Sequence, residues 1–279
     1  MQKEPQNTAT DLAPNFRKDI DAGALCHTLH RFKHNLGEFD AALSYMEYSL
    51  RLLKKNKDVL EDKNKLKADA QLLGVNLWNN TYEKYENTLY MIALSGVVSA
   101  FEDFVSNITN DICNCINKDF SINSFNGEEI KGTKFIKLCT ALKKNSLEVK
   151  IPSYLNDSFE YYIQCRNNYV HNKKLQSKEL NSSFTKVKNK LSDIKQEWPT
   201  CDYELILQSC GSISFEDIKL FSAISLKIVQ LFVVGLKDKM DVNIYRAFLK
   251  ENSKISYWSE KRINRYIENK VRTNYGIMN

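Results

Sequence analysis

The four prolines of this chain, Pro5, Pro14, Pro152 and Pro199, leave residues 15–151 and 200–279 without the residue that most reliably breaks a helix. Only nine glycines are spread over 279 residues, too few to supply the turns of a sandwich or a barrel. The expected fold class is therefore all-α, a multi-helix bundle. Phe16 to His34 reads as a helix that breaks at Gly37. From Phe39, the apolar residues Leu43, Met46, Leu50 and Leu53 recur at three- and four-residue steps. Charge density then rises through Lys67, which makes this stretch a long N-terminal helical hairpin with a solvated outer face. A second long helix runs from about Tyr82 to about Asn117, with Leu89, Ile92, Val97, Phe101, Phe104, Ile108, Ile112 and Cys115 on its buried side.

Beyond it, Asp119 to Gly132 reads as loop, and helix resumes with Phe135, Leu138, Ala141 and Leu142. Pro152 sits in a first-turn position and opens a helix from Ser153 to about Lys174. Asn181 to Gln196 is a polar helix. The strand candidate is Tyr203 to Ser214, a small β-hairpin turning at Gly211. Phe215 to Leu236 is an apolar helix, and shorter helices follow at Val242 to Glu251 and Tyr257 to Arg272. In sequence order this gives an N-terminal helical region at 1–80 with a candidate partner-binding hairpin, a helical bundle at 81–238, and basic helices at 239–279.

Forty basic and 34 acidic residues leave a formal charge of +6, a mild bias compatible with a nucleic-acid partner. The opening MQKEPQNTATDLAP has no apolar stretch of the secretory kind, and seven cysteines is an odd count. The expectation is a cytoplasmic protein with free thiols. The longest apolar runs, Leu89 to Ala100 and Leu231 to Leu236, fall short of a bilayer span and read as core helices. There is no phosphate-cradling glycine loop, no Gly-x-Ser-x-Gly elbow and no His-Glu-x-x-His pair. ATP hydrolysis, dehydrogenation, serine hydrolysis and zincin proteolysis all lose their marks, and no cofactor is expected. Cys26, His27, His30 and His34 are the best metal candidates, with the histidines at i, i+3 and i+7. An exposed helix face explains the same spacing, and no Cys-x-x-Cys or acidic partner reinforces it.

The chemistry concentrates in Cys165-Arg166-Asn167-Asn168-Tyr169-Val170-His171-Asn172. On a wheel advancing about 100° per residue, Glu160, Gln164, Asn167 and His171 form one polar stripe. Arg166 rises from the arc of Phe159, Tyr162, Tyr169 and Val170, about 140° from His171. Asn167, four residues before His171, is placed to orient the imidazole. A second copy of the helix, packed antiparallel across a two-fold axis, would bring two arginines and two histidines around one cleft. These groups suit RNA cleavage. Histidine moves protons at neutral pH, arginine donates to phosphoryl oxygens as charge gathers there, and the ribose supplies the nucleophile.

Arg166-Asn167-x-x-x-His171 resembles the arginine-to-histidine motif of the HEPN superfamily, in which Asn, Asp or His commonly follows the arginine. It is similar to the branches linked with RNA processing and defence, RiboL-PSP-HEPN among them, over about Tyr82 to Leu236. The resemblance implies a helical bundle that forms a homodimer through the motif helices. It also implies a metal-independent endoribonuclease in a toxin–antitoxin or antiphage setting, with an antitoxin or defence protein as partner. Some members of the superfamily instead act as non-catalytic modules that bind RNA or a partner such as a nucleotidyltransferase. By the resemblance, Arg166 stabilises the scissile phosphate, His171 is the acid or base, and Asn167 orients. Glu102, on the earlier long helix, is the supporting acid, with Asp103 as its rival. The lysines that follow the motif, Lys173, Lys174 and Lys178, are candidate RNA contacts, and the C-terminal Tyr257, Trp258 and Tyr266 lie among further basic residues.

Overall fold

The computed structural model describes residues 22–55, 63–75, 82–171, 178–251 and 258–275. Among them it is an all-α multi-helix protein with one tiny sheet. In chain order the elements are α1 (Cys26–Lys55), α2 (Lys63–Leu72), α3 (Tyr82–Cys115), β1 (Ser124–Phe125), β2 (Glu128–Glu129), α4 (Lys134–Lys144) and α5 (Ser153–Val170). They continue with α6 (Lys178–Asn189), α7 (Leu191–Glu197), α8 (Phe215–Leu236), α9 (Val242–Lys250) and α10 (Glu260–Tyr275).

The described chain divides into two compact units that interleave along the sequence. One collects Gly37–Val97 and Tyr154–Ile224; the other collects 22–36, Val98–Ser153 and 225–275. The sequential boundaries expected near 80 and 238 do not coincide with this division. In the first unit Phe159 and Tyr162 pack on Phe221, with ring centroids 5.3 and 5.1 Å apart. In the second, Phe32 meets Phe104 at 5.8 Å and Phe101 meets Phe135 at 5.9 Å. Such tilted and edge-on pairs suit the ring quadrupole while burying large apolar areas.

The sheet is not where the apolar pattern suggested. The 203–214 segment contains no strand, and the hairpin lies in the stretch expected to be loop, with Phe125 opposite Glu128. Its two-residue connection is Asn126-Gly127, at φ 49° and 83°, the combination a type I′ turn demands. In the 203–214 segment, Leu207 sits at φ 52° and its N–H donates to Asp217 Oδ1 at 3.0 Å. Gly211 N donates to Tyr161 Oη at 3.1 Å. The backbone donors a ladder would need are taken by side chains or by local turns such as Leu205 N to the Asp202 carbonyl.

Two helical glycines overturn and refine the reading of the N-terminal half. α1 runs straight through Gly37, the expected break, and open space surrounds the position where its Cβ would stand. At Gly96 in α3, a Cβ would overlap the ring of Phe39. Gly37→Ala is expected to raise stability by up to about 1 kcal/mol. Gly96→Ala should lower it by about 1–3 kcal/mol through overpacking. Denaturant melts of the two variants check the opposite signs. Other boundaries also shift. Asn181 to Gln196 is broken at Lys190 into α6 and α7, and α5 ends at Val170. Ile92, expected on the buried side of α3, is 55% exposed. No uninterrupted apolar run is long, yet α3 and α8 each hold an 18-residue window apolar enough to cross a membrane by length and composition. Those windows are 56% and 72% buried inside the fold, as core helices are.

Two carboxyls are desolvated within their units. Burial pushes Asp40 up to about 6, against the pull of Ser222 Oγ donating at 3.0 Å. Burial likewise lifts Asp111 to about 6 against Thr28 Oγ1 donating at 2.5 Å. Because each folded pKa lies above the unfolded value of roughly 3.9, the folded state keeps protons that the unfolded state has released. Stability therefore falls as pH rises from about 4 to 6 and stays lower above that window. For Asp40 the loss is at most about 3 kcal/mol, reduced by its partial exposure. Asp40→Asn should raise the melting temperature at pH 8 and leave it unchanged near pH 4. An equal shift at both pH values would contradict the assignment.

Candidate functional site

The motif lies on α5, which begins directly after Pro152. Leu155, Phe159, Tyr161, Tyr162, Ile163 and Cys165 are buried, and polar contacts tie the helix down. Tyr162 Oη donates to Asp217 Oδ1 at 2.9 Å, Tyr154 Oη donates to Glu197 at 3.2 Å, and Lys190 Nζ meets Asp157 at 2.5 Å. Burial raises the Cys165 thiol to about 12, which leaves it inert rather than nucleophilic. Up to Cys165, then, α5 is an anchored scaffold.

From Arg166 onward the helix emerges. Arg166, Asn167, Asn168 and Tyr169 are half-buried, and Val170 and His171 are exposed. Val170 shares the apolar arc by angle yet is 50% exposed, since the last turn of α5 projects beyond its packing partners. The His171 amide closes the last turn on the Asn167 carbonyl at 3.0 Å. Its imidazole therefore stands at the mouth of the helix, about 7.5 Å along the axis from Arg166.

Asn167 serves a different partner from the expected one. Its Oδ1 accepts from Arg166 Nη1 at 2.8 Å, so it orients the guanidinium rather than the imidazole. Arg166 Nε is buried without a hydrogen-bond partner, as is Gln164 Oε1 on the opposite side of the helix. No ion pair among the described residues involves Arg166. Among the described residues, most of the guanidinium fork is thus uncommitted and no carboxylate pairs with it. Glu102, the expected supporting acid, is half-buried on α3 and pairs with Lys134 Nζ at 3.3 Å. Asp103 is exposed.

Lys178, at the start of α6, is exposed, while Lys173 and Lys174 lie outside the described residues. Farther along α6, Lys188 covers the Phe184 ring at 5.6 Å. In the C-terminal region, Tyr257 lies outside the described residues. Trp258 and Tyr266 pack edge to face at 5.5 Å, and Arg262 stacks on Trp258 at 4.2 Å. These aromatic faces are engaged within the protein. Cys26, His27, His30 and His34 are all exposed on α1, and no group of three His, Cys, Asp or Glu converges as metal ligands among the described residues.

Sequence reasoning missed Gln164 as an orphaned acceptor of α5 and Asp217 as the anchor of that helix. The second had a local signal. Ser214-Phe215-Glu216-Asp217 is a capping box at the start of α8, with Asp217 N donating to Ser214 Oγ at 3.1 Å and Ser214 N to Asp217 Oδ2 at 3.0 Å. Comparison with protein-family models, with curated proteins and with solved structures finds no match to this chain.

Proposed function

We propose that this chain is a metal-independent endoribonuclease of the HEPN type. It acts in the cytoplasm as a homodimer through α5, in a toxin–antitoxin or antiphage setting. The observation that carries the reading is the state of Arg166. Its fork is steadied by Asn167, unpaired with any described carboxylate, and mounted on the same anchored helix as an exposed imidazole. An arginine held ready for an anion that no described residue supplies is what a phosphate site requires.

The chemistry follows from these groups. One imidazole takes the proton from the ribose 2′-hydroxyl as its oxygen attacks phosphorus. A second, protonated imidazole gives its proton to the departing 5′-oxygen. The products are a 2′,3′-cyclic phosphate and a 5′-hydroxyl. Arg166 donates to the phosphoryl oxygens while their charge is greatest. A single histidine cannot be base and acid in one concerted step, so the two copies of α5 in a dimer supply the pair.

The test is incubation of the purified chain with RNA, and with DNA of the same sequence, in chelator. Cyclic phosphate ends, intact DNA, indifference to chelator and a dimer by sedimentation support the reading. Cleavage that needs added metal, or that persists when His171 is replaced, sinks it. A second reading, a non-catalytic module that binds a partner protein, draws on the apolar surface of α1. There Tyr45 is 80% and Tyr48 62% exposed. Capture of a partner without any RNA cleavage would favour it.

A further inference from the structure

In the second unit, a cleft of about 330 Å³ opens between α1, α3 and the end of α10, a volume within the range of small-molecule sites. Along α3, Asn107, Asn110, Asp111 and Asn114 follow one another at i, i+3, i+4 and i+7, which sets all four on one helical face. They line the cleft together with Arg31 of α1 and Tyr275 of α10.

Two opposite charges face this cleft without meeting. Asp111 uses Oδ2 to accept from Thr28, and among the described residues no hydrogen bond reaches its other oxygen. Arg31 reaches only the amide oxygen of Asn107, at the long distance of 3.5 Å. Neither residue belongs to any ion pair among the described residues. Tyr275 is 1% exposed, and its Oη forms no hydrogen bond of full geometry, with Cys115 and Asn114 beside it.

The charges select the ligand. An apolar molecule would strip water from a carboxylate and a guanidinium and return nothing. An inorganic anion would pair with Arg31 but face Asp111. A metal ion would face Arg31, and no metal-ligating group converges among the described residues. A small molecule that carries both charges satisfies both walls at once. We infer that this cleft binds a zwitterion of the α-amino acid class, its ammonium group on Asp111 and its carboxylate on Arg31. The asparagine amides, each able to donate and accept, are left to read the ligand's side chain. Burial has already taken much of the hydration from the Asp111 carboxyl, so an incoming ammonium costs it little further solvation.

The inference is independent of RNA cleavage, and its test contains no RNA. The full chain is screened by thermal shift and calorimetry against the common L-α-amino acids, with ribose and inorganic phosphate as controls. At least one amino acid should bind. Its N-acetyl and its carboxamide derivatives should each bind at least about tenfold more weakly. Asp111→Asn and Arg31→Gln, at a half-buried and an exposed position, should weaken the parent ligand to a similar degree while the protein still melts cooperatively. The inference is overturned if no amino acid binds, if blocking either end of the ligand leaves affinity unchanged, or if both variants bind as the wild type does. Saturable binding of ribose or phosphate in place of any amino acid would overturn it too.

Discussion

Replacing Asp217 with alanine is expected to lower stability by about 3–5 kcal/mol, the largest loss from any one polar side chain in the first unit. The carboxylate is 1% exposed and accepts four hydrogen bonds. Tyr162 Oη and Leu207 N donate to Oδ1 at 2.9 and 3.0 Å. Ser214 N and Ser214 Oγ donate to Oδ2 at 3.0 and 2.7 Å. Truncation strands the Tyr162 hydroxyl and the Leu207 amide without acceptors, each at a cost of about 1–3 kcal/mol. It also removes half of the capping box that starts α8. Burial raises the pKa of this carboxyl despite its four donors, so part of its desolvation cost is uncompensated. That is why the net loss stays below the sum of four charge-assisted bonds. Asp217→Asn keeps one acceptor and should lose about half as much. Urea midpoints of the wild type and the two variants check the order. A midpoint for Asp217→Ala equal to wild type would show that this hub is not needed. Because Tyr162 belongs to α5, the same variant should also reduce RNA cleavage without touching RNA.

His171→Ala is expected to reduce RNA cleavage by about two to four orders of magnitude, the range that one general acid–base group supplies. Arg166→Ala should cost about 10²–10³, as does loss of a preorganised donor to developing charge. The double variant should be scarcely worse than the stronger single one, since the two groups act on one transition state. Arg166→Lys should not restore activity, because an ammonium cannot reproduce the planar fork that Asn167 steadies. His171 is exposed, so His171→Ala should melt within about 0.5 kcal/mol of wild type. Cleavage measured on end-labelled RNA separates these outcomes. A His171→Ala protein that cuts at the wild-type rate would remove the enzymatic reading and leave the binding module.

The motif and its helix could be read from the chain because both are local. Pro152 starts α5, and the spacing of Leu155, Phe159 and Tyr162 sets its buried face. Arg166, Asn167 and His171 then take their angular places by helix geometry alone. What Asn167 holds is just as local, but side-chain reach rather than helix spacing decides it. The i, i+4 rule offered it the imidazole, but the long arginine side chain beside it reaches its amide first. Glu102 shows the same limit, since its position on α3 was legible and its pairing with Lys134 depends on where the chain brings α4. The misplaced hairpin had a cue that the apolar run at 205–207 outweighed. Asn126-Gly127 is a strong two-residue turn, whereas Leu205, Ile206 and Leu207 only looked like a strand.

From the residues alone came the helical class, most helix spans, and the polar stripe that ends at His171, because each depends on contacts within a few positions along the chain. Tertiary packing decided that α1 continues through Gly37, that Leu207 gives its amide to Asp217, and that Arg31 and Asp111 face one cleft. It also decided that Arg166 meets no described carboxylate. Such facts depend on which distant side chain arrives first at a donor or acceptor, and the burial that makes each partner matter exists only once the core has closed.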